Sequence, residues 1–162
     1  MKKLLYLLMA LPALLLASSC SDDDNKNLPD VSFQITYSGA TDVDDILYVV
    51  QGDTLAIESI EVTPAPGTKP ASLGATVYYW DYAPVGSTMI VPFGMDFVTE
   101  NVPLGRHLLQ IRTSVMQVDK AIAFAEFAYR IMVVESATDI PAGSQTVQGV
   151  LTPDPKYRDE ME

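Results

Sequence analysis

Val31-Ser32-Phe33-Gln34-Ile35-Thr36-Tyr37 carries an apolar side chain at every second position and a polar one between. That period of two belongs to a half-buried strand, whose alternate residues face a core and water, and not to a helix with its 3.6-residue repeat. The same alternation returns near the other end of the chain. Over 107–115, Leu109, Ile111, Thr113 and Val115 share one face, and over 127–133 Phe127, Tyr129, Ile131 and Val133 oppose Arg130 and Met132. Residues 121–128 have helical propensity, but the aromatic and β-branched run behind them favours an extended hairpin arm.

Between these strands, 46–50 is a short run of β-formers, and Gly52-Asp53 breaks the chain before a strand over 55–62. There the apolar set slips from Leu55 and Ile57 to Ile60 and Val62, which predicts a bulge at Glu58 and Ser59. Residues 39–45 read as a turn, and 63–74, with Pro64, Pro66, Gly67 and Pro70, as a long irregular connection. A strand follows over 75–82, then shorter ones over 89–91 and 95–99 separated by Pro92 and Gly94. About seven short strands at this spacing predict an all-β, immunoglobulin-like Greek-key sandwich over 31–136. Residues 137–162 are punctuated by Pro141, Gly143, Gly149, Pro153 and Pro155. They read as an extension with one edge strand over 146–151, followed by a charged tail that either docks or frays.

The chain has 162 residues, the size of one domain, and 48% of them are hydrophobic, enough to bury a core. Ten Lys and Arg against 21 Asp and Glu give a net charge of −11, so no nucleic acid partner is expected, because phosphate binding needs a basic footprint.

The first nineteen residues are of a different kind. Met1-Lys2-Lys3 starts positive, 4–16 is apolar, and Ala17-Ser18-Ser19 are small. The apolar run is short for a bilayer span, and Cys20-Ser21-Asp22-Asp23-Asp24 follows it directly, so 1–19 reads as a secretion signal. Leu16-Ala17-Ser18-Ser19-Cys20 resembles a bacterial lipobox, which implies cleavage before Cys20 and a membrane partner held through lipid on that sulfur. The alternative is a secreted protein with a free thiol at its single cysteine. Ser21, Asp22, Asp23 and Asp24 are similar to the acidic surface-export signal of Bacteroidota lipoproteins, which implies an outer-membrane location facing the exterior; read without that resemblance, 20–30 is an acidic tether. Cleavage would leave 143 residues with a net charge of −13, since Lys2 and Lys3 leave with the signal.

Three further stretches, Gly52-Asp53-Thr54-Leu55, Val77-Tyr78-Tyr79-Trp80-Asp81-Tyr82 and Gly105-Arg106-His107-Leu108-Leu109-Gln110-Ile111, resemble strands of immunoglobulin-like domains of the polycystic kidney disease (PKD) type. Where that family usually continues with a Gly-Asp-Gly turn, this chain has Ala83-Pro84-Val85-Gly86. The resemblance implies an extracellular spacer or binding module without catalysis, with a protein or a glycan as partner.

Tyr79, Trp80 and Tyr82 are the candidate ligand-binding aromatics; alternation puts Trp80 on one face with Tyr78 and Tyr82, which reads either as a stacking platform for a sugar or, for Trp80, as filling of the core between sheets. Asp42, Asp44 and Asp45 put three carboxylates in one short segment, a calcium candidate lacking the glycine and distal glutamate of a full calcium loop; a solvated acidic turn is the alternative. His107 is the only histidine and reads as structural. No zinc spacing and no nucleophile elbow is present, so neither enzymatic activity nor a cofactor is expected. The reading is a lipid-anchored, non-catalytic binding or assembly module of the cell envelope, accessory to a glycan-handling system; a direct carbohydrate-binding module and a structural spacer or assembly subunit are the alternatives.

Overall fold

The computed structural model describes residues 27–143 and 149–158. The expected signal over 1–19, Cys20 and Ser21, Asp22, Asp23 and Asp24 lie outside the described residues. The described residues form an all-β sandwich of eleven strands: β1 (Val31–Ser38), β2 (Thr41–Val43), β3 (Ile46–Val50), β4 (Thr54–Pro64), β5 (Ala71–Trp80), β6 (Ala83–Thr88), β7 (Met95–Val98), β8 (Gly105–Gln117), β9 (Ala123–Val134), β10 (Val150–Leu151) and β11 (Lys156–Arg158). One sheet has the order β10-β1-β4-β7 and the other β2-β3-β9-β8-β5-β6, with β11 also on β9. Antiparallel hairpins β2–β3, β5–β6 and β8–β9 stay within one sheet and the other connections cross between the sheets, in keeping with an immunoglobulin-like sandwich. All neighbouring pairs are antiparallel except β3 with β9, which run parallel from Ile46 beside Arg130 to Val50 beside Val134.

The alternating faces close on each other. Phe33, Ile35 and Tyr37 of β1 meet Leu109, Ile111 and Val115 of β8 and Phe127, Ile131 and Val133 of β9 in one buried cluster. Phe33 and Phe127 touch edge to face at 4.9 Å between ring centres. The expected bulge is present: Thr36 pairs with Ser59 and Tyr37 with Ile57, leaving Glu58 as the extra residue.

Four local expectations are corrected. Segment 39–45 is not one turn: 41–43 forms β2, and the turn shrinks to Asp44 and Asp45, both at positive φ (53° and 61°), the geometry of a type I′ hairpin. The connection over 63–74 is shorter than expected, because β4 continues to Pro64, opposite Val31 at the end of the ladder, and β5 already begins at Ala71. Residues 89–91 form no strand. The chain reverses at once through Asp81 and Tyr82 to make β6, and 90–93 then closes as a turn with the Phe93 N–H donating to the Ile90 carbonyl at 2.8 Å. Eleven strands replace about seven because β2 and β11 are too short to show a periodicity of their own and β6 has none, while β10 falls within the edge strand expected over 146–151. In the 137–162 extension, β10 pairs with β1 as an edge strand and β11 docks on β9 opposite Phe124, Ala125 and Glu126.

The two ends of the sandwich differ. At one, the buried Gln117 amide accepts from the Asp30 N–H (2.8 Å) and donates to the Lys69 carbonyl (2.9 Å) and the Thr68 hydroxyl (3.0 Å). The Ala121 N–H also donates to the Asn27 carbonyl at 3.0 Å, so the place where the N-terminal segment joins the domain is tied to the end of β8 and to the loops on either side of it in space, 65–70 and 118–122. The other end carries the Asp81–Tyr82 turn and the segment 99–105.

Candidate functional site

β6 and β7 are the terminal strands of their sheets on the same side of the sandwich, and among the described residues no strand covers the gap between them. The gap is an open apolar cleft of about 410 Å³. Trp80 and Phe97 form its floor, Val85 of β6 and Val98 of β7 its two rims, and Met95 and Val102 its ends. Both rim valines are at least half exposed. At Gly86 an added Cβ would lie 2.5 Å from the Met95 methyl, so glycine is what lets the two edges meet and close the lower part of the cleft.

The floor is built by a stack of rings. Trp80 lies against Phe97 at 5.7 Å and 30°, and against His107 on its other side at 5.5 Å and 32°. His107 is fixed by both ring nitrogens: Nδ1 lies 2.6 Å from Asp81 Oδ2 and Nε2 lies 2.8 Å from the Pro103 carbonyl. Two acceptors facing the two nitrogens suit the doubly protonated ring. Burial pulls the imidazole pKa down, but the hydrogen bonds to Asp81 and Pro103 and the Asp81 charge outweigh it, and the net direction is upward. Asp81 is itself pinned, since its Oδ1 accepts the Leu108 N–H at 2.9 Å and its own N–H donates to the Leu108 carbonyl at 2.9 Å. Asp81 and Tyr82 both have positive φ (49° and 68°), a two-residue turn that makes the missing Gly-Asp-Gly unnecessary.

Below the cleft, the loop from β6 to β7 presents Met89, Ile90 and Val91 outward, each about three-quarters exposed. The loop is held from behind. Phe93 enters the core, the Tyr78 hydroxyl donates to the Phe93 carbonyl, and the Pro92 carbonyl accepts the Ile60 N–H at 3.0 Å. Burial pushes the Tyr78 phenol far above its ordinary pKa, so it stays a donor at any working pH. At the upper end, the buried Thr99 hydroxyl donates to the Asp53 carbonyl (2.7 Å) and accepts the Gly52 N–H (3.1 Å), and Gln51 Nε2 donates to the Val102 carbonyl at 2.7 Å.

The three candidate aromatics do not come together. Trp80 is half-buried and faces inward with Tyr78; Tyr79 faces outward beneath the Arg112 guanidinium, 4.7 Å from its ring centre; and Tyr82 projects from the turn, 75% exposed. The acidic candidates are also divided. Asp42 is buried (3% exposed), which corrects its reading as a solvated turn residue, whereas Asp44 and Asp45 are exposed. Asp42 and Asp45 line a second recess of about 380 Å³ with Tyr129, Arg130 and Leu151, and Asp44 lies outside it. Among the described residues no three His, Cys, Asp or Glu side chains converge to hold an ion.

Sequence reasoning missed Phe97, Val85, Val98 and the role of Asp81. Phe97 was accessible from the Met95/Phe97 alternation; nothing local to Val85 or Val98 says that the strand beside each is the last in its sheet. No family model, curated protein or solved structure matches this chain.

Proposed function

We propose that this protein is a lipid-anchored, non-catalytic binding or assembly module of the cell envelope, held in the outer membrane through Cys20 and facing the exterior. The observation that carries the binding role is the uncovered apolar cleft between β6 and β7, continued below by Met89, Ile90 and Val91 on a loop held rigid from behind. Exposed apolar surface on a pinned scaffold is the signature of an interaction site. The lipobox-like run ending in Cys20 and the following Ser21, Asp22, Asp23 and Asp24 support the anchor and the address. Six residues lie between Cys20 and Asn27, a span of at most roughly 25 Å over seven Cα–Cα steps. Such a tether keeps the Gln117 end close to the membrane and leaves the Trp80 end of the cleft toward the outside.

The anchor is tested by metabolic labelling with radioactive palmitate: label in the wild type and none in Cys20→Ala is the expected result. The binding role is tested by affinity isolation from solubilised outer membranes, with wild type against Val85→Lys/Val98→Lys. A stoichiometric companion lost in the double variant is expected; recovery of the same companions by both proteins would refute the cleft as the binding surface.

A further inference from the structure

We infer that the cleft takes an extended, basic peptide segment of a partner protein, which adds as a new antiparallel or parallel strand to the free edge of β7. The inference rests on the binding role proposed above and specifies the chemistry of what is bound.

The two strands flanking the cleft are unequal as templates. β6 contains Pro84, which has no N–H to offer, and Val85 is an extra residue where the register slips between Tyr78 and Tyr79. A proline and a bulge are the devices that blunt a sheet edge. β7 has neither. The Thr99 N–H donates to the Asp53 carbonyl, and Leu55 and Ile57 continue the register opposite Phe97 and Met95. By the alternation of an antiparallel ladder, Phe97 and Met95 bond to β4 and the backbone groups of Asp96 and Val98 point away from it, toward the free edge. A peptide pairing there would lay alternate side chains over Trp80 and between Val85 and Val98, the arrangement of strand addition.

Charge decides what kind of peptide. The outward side chain in the middle of β7 is the exposed Asp96, the adjoining groove holds Glu58, and Glu100 lies just beyond Thr99. No Lys or Arg lines the cleft or that groove. Complementarity therefore calls for Lys or Arg alternating with apolar residues. The chain's own segments outside the described residues do not fit: Asp22, Asp23 and Asp24 before the domain and Asp159, Glu160 and Glu162 at its end carry the wrong sign, 144–148 has no Lys or Arg, and Lys2 and Lys3 leave with the signal in the reading proposed above. Edge-to-edge pairing of two copies would set both Asp96 carboxylates on one short ladder between two acidic molecules, which disfavours a homodimer at this edge.

The test uses the full chain in phosphatidylcholine vesicles and a panel of eight-residue peptides in which Val, Leu or Tyr alternates with Lys or Arg. Trp80, the only tryptophan, reports binding directly by its emission. The expected result is a saturable emission shift with a Kd of about 100 μM or tighter, weakened about tenfold by Asp96→Lys or by N-methylation of the peptide's bonding edge. Circular dichroism and melting of Asp96→Lys, a change at an exposed position, verify that it is folded. Absence of saturation with every peptide, equal binding of N-methylated peptides, or equal binding when Glu replaces the basic residues would overturn strand addition of a basic segment. If those results came with a membrane companion still dependent on Val85 and Val98, only this inference would fall and the binding role would stand.

Discussion

His107 Nδ1 lies 2.6 Å from Asp81 Oδ2, although 26 residues separate the two in the chain. The pair joins the turn after β5 to the start of β8, directly behind the Trp80 ring. Because folding raises the His107 pKa above its ordinary value near 6.5, the pair contributes stability that is fully present below about pH 6.5. That contribution is lost as pH rises through the folded-state pKa. Asp81 is half exposed, so its size is held below about 1 kcal/mol by solvent screening.

Asp81→Asn should lower the His107 pKa and flatten the dependence of stability on pH above 6.5. As the only histidine, His107 gives one imidazole resonance to follow by NMR. A titration midpoint that is the same in both proteins would show that Asp81 does not hold the proton.

Gln117→Leu leaves the Asp30 N–H and the Lys69 carbonyl without their partner at a buried site. The cost should be roughly 2 kcal/mol, seen as a melting temperature lower by roughly 5 to 10 °C. Denaturant titration of wild type and variant provides the check, and a change under 0.5 kcal/mol, the scale of an ordinary surface substitution, would contradict the role assigned to this amide.

Tyr78→Phe removes the hydroxyl that holds the Phe93 carbonyl while keeping the ring against Phe97. A loss of about 1 to 2 kcal/mol is expected. Hydrogen exchange should rise in the 89–94 loop and not in β8 or β9; a uniform rise would mean that the bond supports the whole sandwich rather than the loop.

Gly39 and Gly52 both have positive φ, at 76° and 96°, but their surroundings differ. A Cβ on Gly39 would lie 1.8 Å from the Thr54 carbonyl oxygen, whereas one on Gly52 meets nothing within 4 Å. Gly52→Ala should therefore cost about 1 kcal/mol, the left-handed backbone penalty alone. Gly39→Ala should cost several times as much, because the start of β4 must move. Equal melting temperatures for the two variants would refute this difference.

Period-two patterning was strong enough to identify the long strands, and the burial of Phe33, Ile35, Leu109, Ile111, Phe127 and Ile131 follows directly from it. It failed at 41–43 and 83–88. Three residues are too few to show a period, and Ala83-Pro84-Val85-Gly86-Ser87-Thr88 has none, being a strand only because a tight turn lays it beside β5. The aromatic candidates show the same limit at the site. Tyr78 and Trp80 share a face as alternation demands, but Tyr82 leaves the strand at the turn, and positive φ at Asp81 and Tyr82 is not written in residues other than glycine. The cleft was illegible because it depends on which strands end their sheets, a property of topology that no single segment contains.

The parallel pairing of β3 with β9 has a kinetic side. A chain emerging N-terminus first presents 46–50 long before 123–134 exists, and β11, emerging last, completes the same edge of β9. Until then β3 has only the three-residue β2 as a neighbour in its own sheet, and Leu47 and Val49 face β1 and β4 without the β9 residues that complete their core. Folding is thereby deferred to the end of synthesis and dominated by sequence-distant contacts, which makes it slow. Under the export proposed above, that delay is an advantage, since it leaves the chain unfolded for longer while it crosses the membrane.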